Sequence, residues 1–198
     1  MVRDRLILPS SEDRTGIEQL PTLMTLILPA HSKPIEDLRQ ELKSAGCAII
    51  GEANELLDSM PMQHGEADEE VELVVVSPRA LSFRTFNQSQ RDPAGSYKLV
   101  RAFAASLGLK TCPAVVGPLL CKAFKNQPWG RQLLIAMEPI KTKRGNTGIF
   151  ALVHASINFF SMQNCLIAKD YSDDSICEPD DQLLFIREKT TSGPSGTK

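Results

Sequence analysis

The pattern of apolar and polar positions predicts short strands with helices between them. Its strongest feature is the stretch 71–76, where valine occupies four of six positions, a composition typical of a buried strand. Pro78 cannot donate a ladder hydrogen bond, so we expect the strand to end before it. Further strands are predicted at 20–28, 47–50, 131–139, 148–162, 166–167 and 183–186.

Three segments have the spacing of amphipathic helices. Residues 34–45 place Ile35, Leu38 and Leu42 on one face and stop before Gly46, which suits a helix end. The other two predicted helices are 52–60 and 97–107.

These elements predict an α+β fold, in which an antiparallel sheet including 71–76, 131–139 and 148–162 is covered by two or three helices. The domain is predicted to span 20–188. A flexible N-terminal arm at 1–19 and a disordered tail at 189–198 are expected to flank it. Apolar runs are too short for a membrane span and no signal peptide is visible, so we expect a soluble, intracellular protein.

Charge is segregated along the chain, although the net charge is only −2. Residues 1–76 carry 6 basic and 15 acidic side chains (net −9), residues 77–148 carry 12 and 2 (net +10), and residues 149–198 carry 4 and 7 (net −3). The basic segment predicts a surface for an anionic partner, either nucleic acid or acidic lipid. The alternative is that the segments neutralise one another in the fold. The candidate residues are Arg79, Arg84, Lys98, Arg101, Lys110, Lys122, Lys125, Arg131, Lys141, Lys143 and Arg144.

Residues 109–129 combine apolar side chains with Pro113, Gly117 and Pro118, which exclude one continuous helix. The segment is therefore predicted to be an apolar loop, with a short helix to Phe124 as an option. If the loop is exposed, it is a candidate for membrane contact and self-association; if it is buried, it belongs to the core. The candidate contact residues are Val115, Val116, Leu119 and Leu120.

No catalytic motif or metal-ligand spacing is visible, so we predict a protein that is not an enzyme and has no cofactor, metal or small-molecule substrate. The five cysteines are irregularly spaced and are expected to be free, buried thiols. An enzymatic alternative would use Cys112 or Cys121 as nucleophile beside a histidine. The acidic residues within 66–70 are expected to form a solvated loop rather than a cation site.

A second alternative is single-stranded RNA binding by the segment 79–86. Arg79, Phe83, Arg84 and Phe86 place two aromatic rings beside two guanidinium groups, and such groups stack on unpaired bases. No RNP-type motif accompanies them.

Short segments of the chain resemble one family. Residues 77–84 (SPRALSFR) are similar to the Ser-Pro-x-x-x-Ser-Phe-Arg of lyssavirus matrix proteins, and residues 83–86 (FRTF) to the Phe-Arg-Thr-Tyr of vesiculovirus matrix proteins. Residues 109–116 (LKTCPAVV) resemble the vesiculovirus Leu-Lys-x-x-Pro-Ala-Val-Leu segment. The order of elements over 70–162 also resembles that of rhabdovirus matrix proteins. The lysine-rich arm and Pro-Pro-x-Tyr motif usual in that family are not seen here.

The resemblance implies a non-enzymatic viral matrix protein that self-associates and links an anionic membrane to the viral nucleoprotein–RNA complex during virion assembly and budding. Direct RNA binding is a further option. The implied location is under the virion envelope, in the host cytoplasm and at the inner face of host membranes, with the nucleus as another option. In that family the segment matched by 109–116 is an apolar loop used for membrane contact and self-association.

Overall fold

A nine-stranded mixed sheet with four flanking helices forms the described structure. The computed structural model describes residues 20–62, 64–81, 95–125, 130–158 and 161–187, so the predicted arm and tail lie outside it. The strands are β1 (Thr22–Leu28), β2 (Ala48–Ile49), β3 (Glu69–Val76), β4 (Leu109–Lys110), β5 (Gln132–Ile135), β6 (Ile140–Lys141), β7 (Thr147–Asn158), β8 (Ser161–Asp170) and β9 (Leu183–Arg187). The helices are α1 (Ile35–Ser44), α2 (Ala53–Asp58), α3 (Tyr97–Ser106) and α4 (Val116–Ala123).

The strand order is β1-β3-β9-β5-β7-β8-β2, with β4 paired to β9 and β6 paired to β7. Most pairs are antiparallel, but β5 with β9 and β2 with β8 are parallel. The predicted α+β class is therefore confirmed, whereas the sheet is mixed rather than antiparallel throughout. The β5–β9 pair arises because β9, the last described strand, returns to lie between β3 and β5.

Strand boundaries after residue 108 differ from the predicted ones. The predicted strand 148–162 contains the end of β7 at Asn158 and the start of β8 at Ser161. Apolar residues continue across this reversal in the sequence, so the pattern alone did not reveal it. The predicted strand 131–139 is divided between β5 and β6, and β4 lies where a loop was predicted.

The strand β9 is buried on both faces. Leu183, Leu184 and Phe185 have no exposed surface, and Ile186 is 7% exposed. β9 pairs with β3 at one edge and with β5 and β4 at the other. Its continuous apolar sequence follows from this position, because neither face of the strand meets solvent.

Helix α1 forms as its sequence pattern predicts. Leu38 and Leu42 are buried, while the first turn carries acidic residues and the last carries Lys43. Gly46 follows with a φ of +73°, a left-handed conformation that glycine adopts without strain. The Cys47 N–H then donates to the Leu42 carbonyl at 2.9 Å, which closes the helix end.

Helices α2 and α4 pack on the same face of β7. A Cβ atom placed on Gly117 of α4 would lie 2.9 Å from Cβ of Phe150. A Cβ atom placed on Gly148 would lie 3.7 Å from Cδ1 of Leu56 in α2. Positions 148 and 150 point to one side of β7, so both helices cover that side.

We expect the substitution Gly117→Ala to destabilise the protein, although alanine is favoured over glycine in helices by about 1 kcal/mol. The added methyl group would overlap the fully buried Phe150, and overpacking of this kind costs about 1–3 kcal/mol. The measurement is the urea midpoint of unfolding, which should fall. A midpoint at or above that of the native chain would contradict the close packing of α4 on β7.

Candidate interaction surface

The four apolar candidates lie on α4 and at its start, not on an exposed loop. Val116 and Leu120 have no exposed surface, and Val115 is 5% exposed. Leu119 is partly buried and packs against the core. The buried alternative therefore holds for Val115, Val116 and Leu120, and these three side chains are not available for membrane contact or for docking onto a neighbouring subunit.

The local sequence explains this burial. Pro118 lies in the first turn of α4, where its missing N–H costs little, so it does not interrupt the helix. The Val116 N–H donates to the Pro113 carbonyl at 3.0 Å, so the preceding turn leads directly into α4. Gly117 then allows the first turn to approach the sheet. The same residues that suggested a loop are thus compatible with a short packed helix.

Ion pairs join part of the basic segment 77–148 to the acidic segments. Arg79 forms a bidentate pair with Asp180, with nitrogen–oxygen distances of 2.8 and 3.0 Å. Hydrogen bonding to Arg79 holds the pKa of Asp180 below its ordinary value. Lys122 pairs with Glu41 at 2.5 Å. For Arg79 and Lys122 the neutralisation alternative therefore holds, because each is paired with a carboxylate of the same chain.

Glu41 lies between two lysines, because it also pairs with Lys33. Hydrogen bonds from Lys122 and Lys33 hold the pKa of the Glu41 carboxyl below its ordinary value. Lys125 donates to the Ala45 carbonyl at 3.1 Å. Lys122 of α4 thus contacts α1, and Lys125, which follows α4, contacts the residue at the end of α1. The shallow depression there has a volume of about 770 Å³ and is lined by Lys33, Asp37, Gln40, Glu41, Ser44, Ala45 and Lys122.

Arg101 is a structural residue rather than an anion-binding one. The sequence makes it a candidate for the anion-binding surface, yet only 7% of the residue is exposed. Its guanidinium pairs with Glu138 and Asp173 and lies 4.9 Å from the centre of the Tyr97 ring. The Tyr97 hydroxyl in turn donates to the Met137 carbonyl at 2.8 Å. Arg101 therefore connects α3 to two other segments, one containing Glu138 and one containing Asp173.

The remaining basic candidates lie on separate elements. Arg84 is outside the described residues, as are Phe83 and Phe86 of the RNA-binding alternative. Three others occur close together at the turn between β6 and β7. Besides Arg79, which pairs with Asp180, the exposed basic candidates are Lys98, Lys110, Lys125, Arg131, Lys141, Lys143 and Arg144.

The β6–β7 turn holds its basic residues on a hydrogen-bonded frame. The Thr142 N–H donates to the Asn146 carbonyl at 2.7 Å, and Gly145 adopts a φ of +93°. Cross-strand pairing of Lys141 with Thr147, and of Ile149 with Lys169, puts both lysines on one face of the sheet. We call Lys141, Lys143, Arg144 and Lys169 the basic tip.

Acidic groups offset part of the charge of the basic tip. Arg144 lies 2.7 Å from Glu55, yet 78% of its side chain remains exposed. Asp170 is an exposed neighbour on β8. Lys169 is not predictable from the sequence as a member of the tip, because it is 25 residues from Arg144 and joins the tip only through the β7–β8 pairing. The tip remains the place where exposed basic candidates are brought together by one turn.

The cysteines are free and buried. Burial raises the pKa of Cys112 and of Cys121. Burial, with a smaller effect of nearby Asp181, raises the pKa of Cys177 to about 12. A thiol must ionise to act as a nucleophile, so this environment opposes the enzymatic alternative.

The acidic loop before β3 has a local structural role. Asp68 accepts a hydrogen bond from the Ala30 N–H at 2.8 Å and so connects the segment after β1 to the start of β3, at one end of the pair. Glu66, Glu69 and Glu70 are exposed. In the part of the chain that the structure describes, no group of His, Cys, Asp and Glu side chains is arranged to hold a metal ion.

No family model, curated protein or solved structure matches this chain. The resemblance to rhabdovirus matrix proteins therefore rests on the short segments 77–86 and 109–116. Residues 82–86 of the first lie outside the described residues, and the second is β4 and the turn leading into α4. Among the described helices, none is long and apolar enough to cross a membrane.

We expect Arg101→Met to lower the free energy of unfolding by about 1.5–3 kcal/mol, the usual range for hydrogen bonds to charged groups. Methionine keeps much of the apolar contact of the arginine stem but loses the ion pairs. The matched control is Lys98→Met, an exposed residue on the same helix, which should change stability by no more than about 0.5 kcal/mol. Equal effects in urea unfolding would contradict the structural role of Arg101.

We also expect the native protein to react slowly with iodoacetamide at neutral pH, because its thiols are buried and burial raises the pKa of Cys112, Cys121, Cys165 and Cys177. Mass spectrometry should find all cysteines alkylated only after denaturation. Rapid, selective alkylation of Cys112 or Cys121 in the native chain would instead support the enzymatic alternative.

Proposed function

We propose that the chain is a non-enzymatic structural protein of the viral matrix kind. It self-associates and links an anionic membrane to a ribonucleoprotein during virion assembly. The observation that supports the proposal best is the basic tip, where Lys141, Lys143 and Arg144 are exposed on one hydrogen-bonded turn and Lys169 lies on the same face as Lys141.

The basic tip suits an anionic surface on electrostatic grounds. Each Lys or Arg near an anionic leaflet contributes on the order of 1 kcal/mol, an attraction that salt screens. Glu55 and Asp170 reduce the net effect of the four basic groups. A single chain would therefore bind weakly and reversibly, and an assembly of many chains would bind strongly through multivalency.

Membrane attachment in this proposal does not use the apolar segment 113–120. Val115, Val116 and Leu120 belong to the core, so inserting them into lipid would require α4 to leave the sheet. The expected mode is peripheral and electrostatic. Binding should consequently depend on anionic lipid and decline as the salt concentration rises.

The test is co-sedimentation with anionic and neutral vesicles across a salt series, using Lys143→Glu. Replacing one positive charge by a negative one changes the tip by two charges, so binding to anionic vesicles should weaken by about 30-fold at low salt. The matched control is Lys43→Glu, an exposed residue on α1 with the same change in net charge. We expect the control to bind nearly as well as the native chain.

Two results would contradict the proposal. Equal losses in Lys143→Glu and Lys43→Glu would show that net charge rather than the basic tip governs binding. Absence of vesicle binding, together with tight and salt-sensitive binding to short RNA, would favour the RNA-binding alternative. That alternative would use the segment 79–86, in which Arg79 is already paired with Asp180.

A further inference from the structure

The two edges of the sheet differ in how they are protected. At one edge β2 has only two residues, and α1 packs against it. At the other edge β1 has seven residues and, within the described structure, pairs on one side only, with β3. Natural sheets usually shorten, cover or charge their edge strands, because the unpaired backbone groups bind other strands.

The sequence of β1 has few of these protective features. The strand TLMTLIL contains no charged residue and no proline, since Pro21 and Pro29 lie outside it. A single irregularity between Thr22 and Met24 interrupts its register. Ile27 is 63% exposed, the highest value among the large apolar residues described. Within the part of the chain that the structure describes, the edge is therefore both open to hydrogen bonding and apolar.

We infer that β1 pairs antiparallel with β1 of a second copy of this chain, so that two sheets join edge to edge. Two-fold pairing centred near Thr25 would place Leu23 of one copy near Ile27 of the other. No charged side chain of either β1 would face another, so the strand is complementary to itself. The acidic side chains of β3 lie one strand further away.

This inference deepens the self-association part of the proposed function and rests on it to that extent. It assigns self-association to the edge strand instead of the buried residues of α4. A single strand pair is a small interface, which suits weak contacts that become effective in a larger assembly. Binding to vesicles is a separate property of the basic tip.

The first experiment compares Ile27→Lys with Ile176→Lys in the full chain. Both residues are isoleucines with similar exposure, 63% and 57%, so both substitutions should leave the fold intact. A lysine at position 27 adds a charge to the edge in each copy, and the dimer dissociation constant should rise at least about tenfold. Sedimentation equilibrium across a concentration series measures it, and Ile176→Lys should dimerise like the native chain.

The second experiment places a thiol at the centre of the edge with Thr25→Cys. Thr25 is exposed whereas the native cysteines are buried, so a short bismaleimide should cross-link two copies through position 25. A covalent dimer, lost when Ile27→Lys is added, supports the inference. A native chain that stays monomeric up to its solubility limit would overturn it. So would a dimer that Ile27→Lys leaves unchanged, which would assign self-association to another surface.

The two proposals fail separately. If Ile27→Lys has no effect on dimers but Lys143→Glu still loses vesicle binding, the edge inference is wrong and the proposed function stands. If neither vesicles nor RNA bind but dimers form through β1, the edge inference stands without the membrane role.

Discussion

The fold depends on the insertion of β9 into the middle of the sheet. Without this strand, the β1–β3 pair and the group containing β5, β7 and β8 would share no backbone hydrogen bonds in the described structure. Its side chains Leu183, Leu184 and Phe185 are fully buried, so one short segment contributes to the apolar contacts of both faces. The same insertion determines which strands end as edges, since it places β1 at the far side of the sheet from β8 and β2.

Folding redistributes the charge that the sequence separates. Arg79 meets Asp180, which is 101 residues away, and Lys122 meets Glu41, which is 81 residues away. The basic segment is therefore partly neutralised by acidic segments that look independent of it in the sequence. Of the exposed basic side chains that the structure describes, those of the β6–β7 turn lie close together, and the others are on separate elements.

Sequence patterns were informative where the structure is local. Helix α1 and strand β3 follow from their own residues, through the apolar stripe of the one and the valines of the other. The pattern was misleading at 148–162, because apolar residues continue through the reversal between β7 and β8. It also placed Arg101 at the surface, since its partners Glu138 and Asp173 come from segments that only the fold brings together. The sequence also could not predict that β1 is an edge strand of the described sheet, because that depends on where the other strands pair.

The sheet geometry makes the two proposed contacts compatible. Pairing relationships across β1, β3, β9, β5 and β7 put Ile27 of the edge on the same face as Lys141 and Lys169 of the basic tip. Lys141 on β6 is three strand spacings from the edge and Lys169 on β8 is five, about 14 and 24 Å, so a second copy at β1 would not cover the tip. The two-fold axis of edge-to-edge antiparallel pairing runs perpendicular to the sheet. Both copies would consequently present the same face, and a dimer could bring Lys141 and Lys169 of both chains to one anionic surface.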